Sequence, residues 1–226
     1  MSDKPGHDTL ATTAYAVLAD LLREQIVSGE LAAGTHLTIS GVARKYGVSH
    51  MPVREALQRL SGEGLLVMNP HRGARVRSID AQFVRNIYDL RGVIEGMLGR
   101  LSVAHLREAD LEQGFCIHRA LCEAVRNEDV PEVLDLNREF HHLIYRRSGN
   151  PEAVALFEQY SALIASIRRR YGFSPQRLID ITVQHERILE MMRQTETSEI
   201  EELLRTHCEG ARNDLLQRMS SQAGVT

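Results

Sequence analysis

The chain has 226 residues, 43% of them apolar and 25% charged, with a net charge of −3. That length predicts two domains, and the near-neutral balance excludes a polycation that coats nucleic acid along its whole length. No apolar run is long enough for a membrane span or a signal peptide, and Cys116, Cys122 and Cys208 show no paired close spacing; no membrane partner and a reducing cytoplasm are therefore expected.

In chain order, residues 1–12 are polar and are expected to form a flexible tail. Tyr15 to Val27 predicts an amphipathic helix with Leu18, Leu21, Leu22 and Ile26 on its core face. The stretch from Ile39 to Leu65 then reads as helix, glycine turn, helix. Val42, Ala43 and Tyr46 supply the apolar face of the first helix, Gly47 the turn, and Val48 an apolar pin. From Pro52 onward Val53, Ala56, Leu57 and Leu60 fall on one face, leaving Arg54, Gln58 and Arg59 on the others. Pro52 suits a first helical turn and Ser49 the cap before it, which points Ser49, His50, Met51 and Arg54 outward toward a major groove. After Gly62 and Gly64, the segments LLVM and ARVR flank Asn69-Pro70-His71-Arg72-Gly73, the pattern of a β-hairpin with a basic tip. Helix-turn-helix followed by hairpin is a winged helix, and residues 13–78 are assigned to it.

Charge supports a nucleic-acid face confined to this module. Between Arg44 and Arg77 stand seven cations and two acids, enough for phosphate contacts with double-stranded DNA. After Ser78 the balance reverses to 18 bases against 23 acids, so the remainder is not a nucleic-acid surface. That remainder, residues 79–222, shows helical periodicity with breaks that predict six helices starting near Asp80, Asp110, Pro131, Pro151, Pro175 and Glu199. The fold class is thus mainly α: an N-terminal winged helix-turn-helix and a C-terminal all-α antiparallel bundle.

Several bundle histidines are placed where helices aim them inward. Asn137 and His141 are four apart on one face, His185 neighbours Ile188, Leu189 and Met192, and His207 lies beside Leu203 and Leu204. Three neutral imidazoles and one oxygen suit a divalent transition metal of Zn, Ni or Mn type with open positions. The alternative is a metal-free structural histidine core. His142 is expected at the surface and His118 in a supporting or structural role. An enzymatic reading, a metal-dependent hydrolase or lyase, lacks a carboxylate or lysine placed as general base; Glu139 lies on a different face from His141.

The segment GVSHMPVREALQRLSGEGLL followed by PHRGARV resembles the winged-helix signature of the GntR superfamily of transcription regulators. The resemblance implies DNA contacts at Ser49, His50, Met51, Arg54, Arg72 and Gly73, with Arg44 an added cation of the same face. The family commonly has Arg where His50 stands and Thr where Met51 stands, so the operator sequence does not carry over from relatives. Asn137 to His141, Ser148 to Pro151, His185 and His207 resemble the FCD domain of the FadR-type branch, and six helices resemble its VanR-like subgroup. That resemblance implies a metal at Asn137, His141, His185 and His207 that receives the carboxylate of a small organic or sugar acid. Asp is common where Asn137 stands. Arg91 matches a recurrent pocket arginine, with a surface Arg91–Glu95 pair as the alternative, and Tyr145 is placed to line the same pocket. The implied protein is a homodimeric regulator, expected to act as a repressor, on a palindromic operator.

Overall fold

The computed structural model of the chain describes residues 7–69, 72–194 and 197–223. It comprises two compact units, Met1–Asp80 and Ala81–Thr226.

The first unit contains α1 (His7–Ser28), β1 (His36–Leu37), α2 (Ile39–Tyr46), α3 (His50–Gly62), β2 (Leu66–Asn69) and β3 (Gly73–Val76). Helix α1 begins at His7, inside the segment expected to be a flexible tail, while residues 1–6 lie outside the described ones. Leu18, Leu22 and Ile26 are buried together with Ala19, but Leu21 is 40% exposed. A stripe set by positions four apart rotates Leu21 to its edge, which corrects its assignment to the core.

Helix α2 is capped by Thr38, whose hydroxyl accepts from the Gly41 amide at 3.1 Å. It ends at Gly47, which takes φ 66° and ψ 30°, the left-handed conformation that glycine adopts without steric cost. The Val48 amide then bonds to the Ala43 carbonyl, closing the tight turn into α3. Ser49 occupies the cap position of α3, but its hydroxyl makes no capping bond, contrary to the sequence expectation. Val53, Ala56, Leu57 and Leu60 are fully buried. Arg23 of α1 clamps Glu63 after α3 with two hydrogen bonds of 2.7 and 2.8 Å, both side chains buried. Glu63 is therefore neutralised mainly from within, with a longer contact of 3.4 Å from Arg59 Nε.

The wing has three strands rather than two, in the order β1-β3-β2, all antiparallel. His36 pairs with Arg75 and Leu37 with Ala74. Two residues are too few to display alternation, which is why β1 was invisible in the sequence. Gly73 has φ 93°, and a Cβ there would stand 2.1 Å from the Leu37 carbonyl oxygen, so β1 and β3 approach this closely only over glycine. The hairpin tip residues Pro70 and His71 lie outside the described residues.

The second unit holds α4 (Ala81–Ser102), a short 3-10 turn (Val103–His105), α5 (Glu108–Arg126), α6 (Val130–Tyr145), α7 (Pro151–Tyr171), α8 (Pro175–Gln194) and α9 (Thr197–Ala223). Caps explain the breaks: the Asp129 carboxylate accepts from the Glu132 amide and the Asn150 side chain from the Ala153 amide, each ahead of a proline in the first turn. Leu98, Phe140, Ile144, Phe157, Ile188 and Leu204 build a core from α4, α6, α7, α8 and α9. The buried faces of α6, α8 and α9 carry the histidines into that core.

Candidate functional site

His141 of α6, His185 of α8 and His207 of α9 are buried, and each offers a ring nitrogen within 4.8 Å of the others. Each sits on a buried helical face because apolar neighbours one turn away carry it inward. The tertiary structure assigns their protons. Tyr145 donates its hydroxyl to Glu95 Oε2 at 3.0 Å, so its oxygen accepts from His141 Nδ1 at 3.1 Å, leaving Nε2 of His141 with a free lone pair. His207 Nδ1 lies 2.8 Å from Gln184 Oε1, an acceptor only, and 3.5 Å from Arg177 Nη2; the shorter contact places the proton on Nδ1 and leaves Nε2 of His207 free. His185 has no hydrogen-bond partner at either nitrogen, although both are buried. Burial pushes His141 down to about 4, with Glu95 opposing and Arg91 and Arg177 adding to the fall. Burial also holds His185 and His207 well below 6.5. All three are neutral imidazoles, the protonation state a metal requires.

These residues fit a divalent transition metal. A buried imidazole with two unbonded nitrogens is costly to the fold unless a cation takes one, and three nitrogen donors with open positions suit Zn, Ni or Mn type ions. Cys208 lies nearby, but burial pushes its thiol well above 9, which leaves it a neutral neighbour. Glu95 comes no nearer than 3.9 Å to His141 Nδ1 and is committed to Arg91 and Tyr145.

Beside the cluster is a cavity of about 50 Å³ whose wall includes Arg91, Asn137, Arg168, Arg177, His207 and Cys208. Asn137, half-buried one turn before His141, thus faces the same space as His207. The Arg91–Glu95 pair, held open as a surface feature, is buried, with Arg91 Nε donating to Glu95 Oε1 at 2.7 Å. The Tyr145 hydroxyl is engaged by Glu95 and His141, so Tyr145 stands behind the histidine rather than free in the cavity. His118 is not drawn into the cluster; its ring lies 3.6 Å from the Cys122 sulfur. His142 pairs with Glu158. Arg177 and Gln184 were missed in the sequence. Their signal was present: positions 177, 184 and 185 lie on one helical face with His185.

In the other unit Arg44, Ser49, His50, Arg54 and Arg72 are exposed and Met51 is 61% exposed. Gly73 is buried beneath β1. Arg72 shares an open hollow with His36, Asn69 and Arg75. His36 joined this basic edge unseen, because its strand was unseen.

A winged helix-turn-helix with an exposed basic recognition helix, on a chain that also carries a helical bundle with buried histidines and arginines, defines a two-domain DNA-binding regulator. Residues 14–76 match the family described as bacterial regulatory proteins, gntR family, and residues 86–210 match the FCD domain. The chain is 31% identical over 193 residues to the uncharacterised HTH-type transcriptional regulator YdhC of Bacillus subtilis (strain 168), covering 83% of this chain and 82% of that one. It is 28% identical over 198 residues to the HTH-type transcriptional repressor GlaR of Escherichia coli (strain K12), covering 82% and 88%. The solved structure of E. coli McbR/YncC superposes with a TM-score of 0.70 at 24% identity, covering 91% and 98%, which establishes a shared fold. The chain belongs to the GntR family of transcription regulators with a C-terminal FCD domain; it is a DNA-binding regulator and not an enzyme. No helix among the described residues is long and apolar enough to cross a membrane.

Proposed function

We propose that this regulator is a homodimeric repressor whose operator affinity falls when a small carboxylate or sugar acid binds beside a divalent metal held by His141, His185 and His207, with Asn137 as the oxygen donor. The observation that carries the reading is His185: two buried nitrogens without partners, in a cluster of neutral imidazoles whose other nitrogens are already oriented. When bound, the metal supplies positive charge and open coordination positions for an anion. The protein supplies the rest. Tyr145 and Gln184 fix the ring orientations of His141 and His207. Arg91, held by Glu95, sets a further positive charge at the cavity wall.

On the DNA side, His50, Met51 and Arg54 enter the major groove from α3, while Arg44, Ser49 and the wing at Arg72 and Gly73 contact the backbone. A dimer presents two such units to the half-sites of a palindrome. The acid lowers operator affinity only by binding more tightly to the protein arrangement that fits DNA less well. The supporting facts are the exposure of Arg44, Ser49, His50, Met51, Arg54 and Arg72, the family membership and the repressor GlaR among the relatives.

The test is the melting temperature of metal-loaded dimer against a panel of small acids, repeated after chelation. A rise with one acid that disappears on chelation supports the reading. No rise with metal alone favours a structural histidine core instead, on which Phe140 already stacks at 3.9 Å.

A further inference from the structure

Three guanidinium groups face the cavity beside the histidines, and two are matched. Arg91 is paired with Glu95, and Arg168 with Asp214. Arg177 has no carboxylate within ion-pair distance among the described residues, although it is only 3% exposed. Its bonds are neutral ones, from Nη1 to Gln184 Oε1 at 3.0 Å and from Nη2 to the His207 carbonyl at 3.2 Å, and its Nε is buried without any partner. It also stands in the first turn of α8, where the helix dipole disfavours a cation and favours an anion. Space has been kept for it, since a Cβ at position 210 of α9 would lie 3.0 Å from Arg177 Nη1 and glycine is there. A buried, uncompensated cation weakens the fold. Its charge, its unpartnered Nε and its place at the cavity call for one anion.

We infer that Arg177 is the residue that grips the effector's carboxylate. This rests on the reading of the bundle as an acid-sensing domain and names the residue that holds the acid. The planar fork of a guanidinium takes two carboxylate oxygens, and Nε is one tooth of that fork. The cavity of about 50 Å³ has Arg177 and His207 in one wall, so an acid entering it meets both. Arg177 also touches the His207 backbone, so an acid held by Arg177 lies against the histidine cluster.

The experiment measures the melting temperature and binding isotherms of the full-length wild type, Arg177→Gln and Arg177→Lys with glycolate, its neutral amide glycolamide, and nickel alone. Wild type is expected to respond to glycolate and not to glycolamide. Arg177→Gln should bind glycolate about 10- to 100-fold more weakly while keeping its response to nickel, and its ligand-free melting temperature should be equal or higher, because an unmatched buried charge has been removed. Arg177→Lys should fall between the two. Glycolate affinity unchanged in Arg177→Gln overturns the inference and leaves the acid-sensor reading standing. A lower ligand-free melting temperature in both variants with unaltered relative acid affinity makes Arg177 structural and also overturns it. A wild type that answers to nickel but to none of a wide panel of acids overturns the sensor reading itself, and this inference with it.

Discussion

Phe140 lies flat on His185, ring centroids 3.9 Å apart and planes within 5°, and gives the imidazole packing but no hydrogen bond. One face of His185 is thereby filled with an apolar ring while both of its nitrogens remain unpartnered inside the protein. A group kept this way costs the fold about 1–3 kcal/mol. Replacing His185 with Leu should therefore leave the melting temperature of metal-free protein unchanged or raised, and abolish the rise produced by nickel or zinc. Metal-dependent stabilisation that persists in H185L would remove His185 from the ligand set.

Tyr145 joins Glu95 to His141. Tyr145→Phe removes the hydroxyl from a buried chain of three groups, leaving Glu95 Oε2 and His141 Nδ1 each short of a partner. The expected loss is about 1–3 kcal/mol of stability, with metal affinity about tenfold or more weaker because the His141 ring is no longer held in one orientation. Chemical denaturation and metal titration of Y145F check the two effects separately.

Arg54 is exposed near the N-terminal end of α3. Arg54→Ala should weaken operator binding and lower the slope of log affinity against log salt by about 1 if the contact is to phosphate, without changing the melting temperature. An unchanged affinity and slope would place the recognition helix elsewhere on the DNA.

Asp110 accepts from the Arg107 amide at the start of α5 and from Arg147 Nη2 at 2.6 Å, and the Arg147 hydrogen bond holds its carboxyl below its usual 3.8. Because the folded carboxylate binds protons more weakly than the unfolded one, its stabilisation is complete above about pH 4 and disappears as pH falls through the lowered folded value. Asp110→Asn should cost about 1–2 kcal/mol at neutral pH. The difference from wild type should shrink below pH 4, as read by denaturant midpoints across that range.

Much of the fold was legible because it is local. Gly47, the apolar spacing of Val53 to Leu60, and the caps at Asp129 and Asn150 each act within a few residues of chain, and the six bundle helices start close to where Asp80, Asp110, Pro131, Pro151, Pro175 and Glu199 placed them. What escaped was non-local. Strand β1 is two residues long and exists only because β3 offers an edge to it. Glu63 counted as an acid of the basic face until Arg23, forty residues away, covered it.

The sequence alone determined that a basic helix-turn-helix is followed by an all-helical domain with inward histidines, since periodicity and turn chemistry are properties of neighbouring residues. The tertiary structure decided which nitrogens of those histidines are free, which arginine at the cavity has a carboxylate and which has none, and how little room lies between them. Those are questions of hydrogen-bond pairing and charge balance among side chains up to a hundred residues apart, and they have answers only once α4, α6, α8 and α9 are packed together.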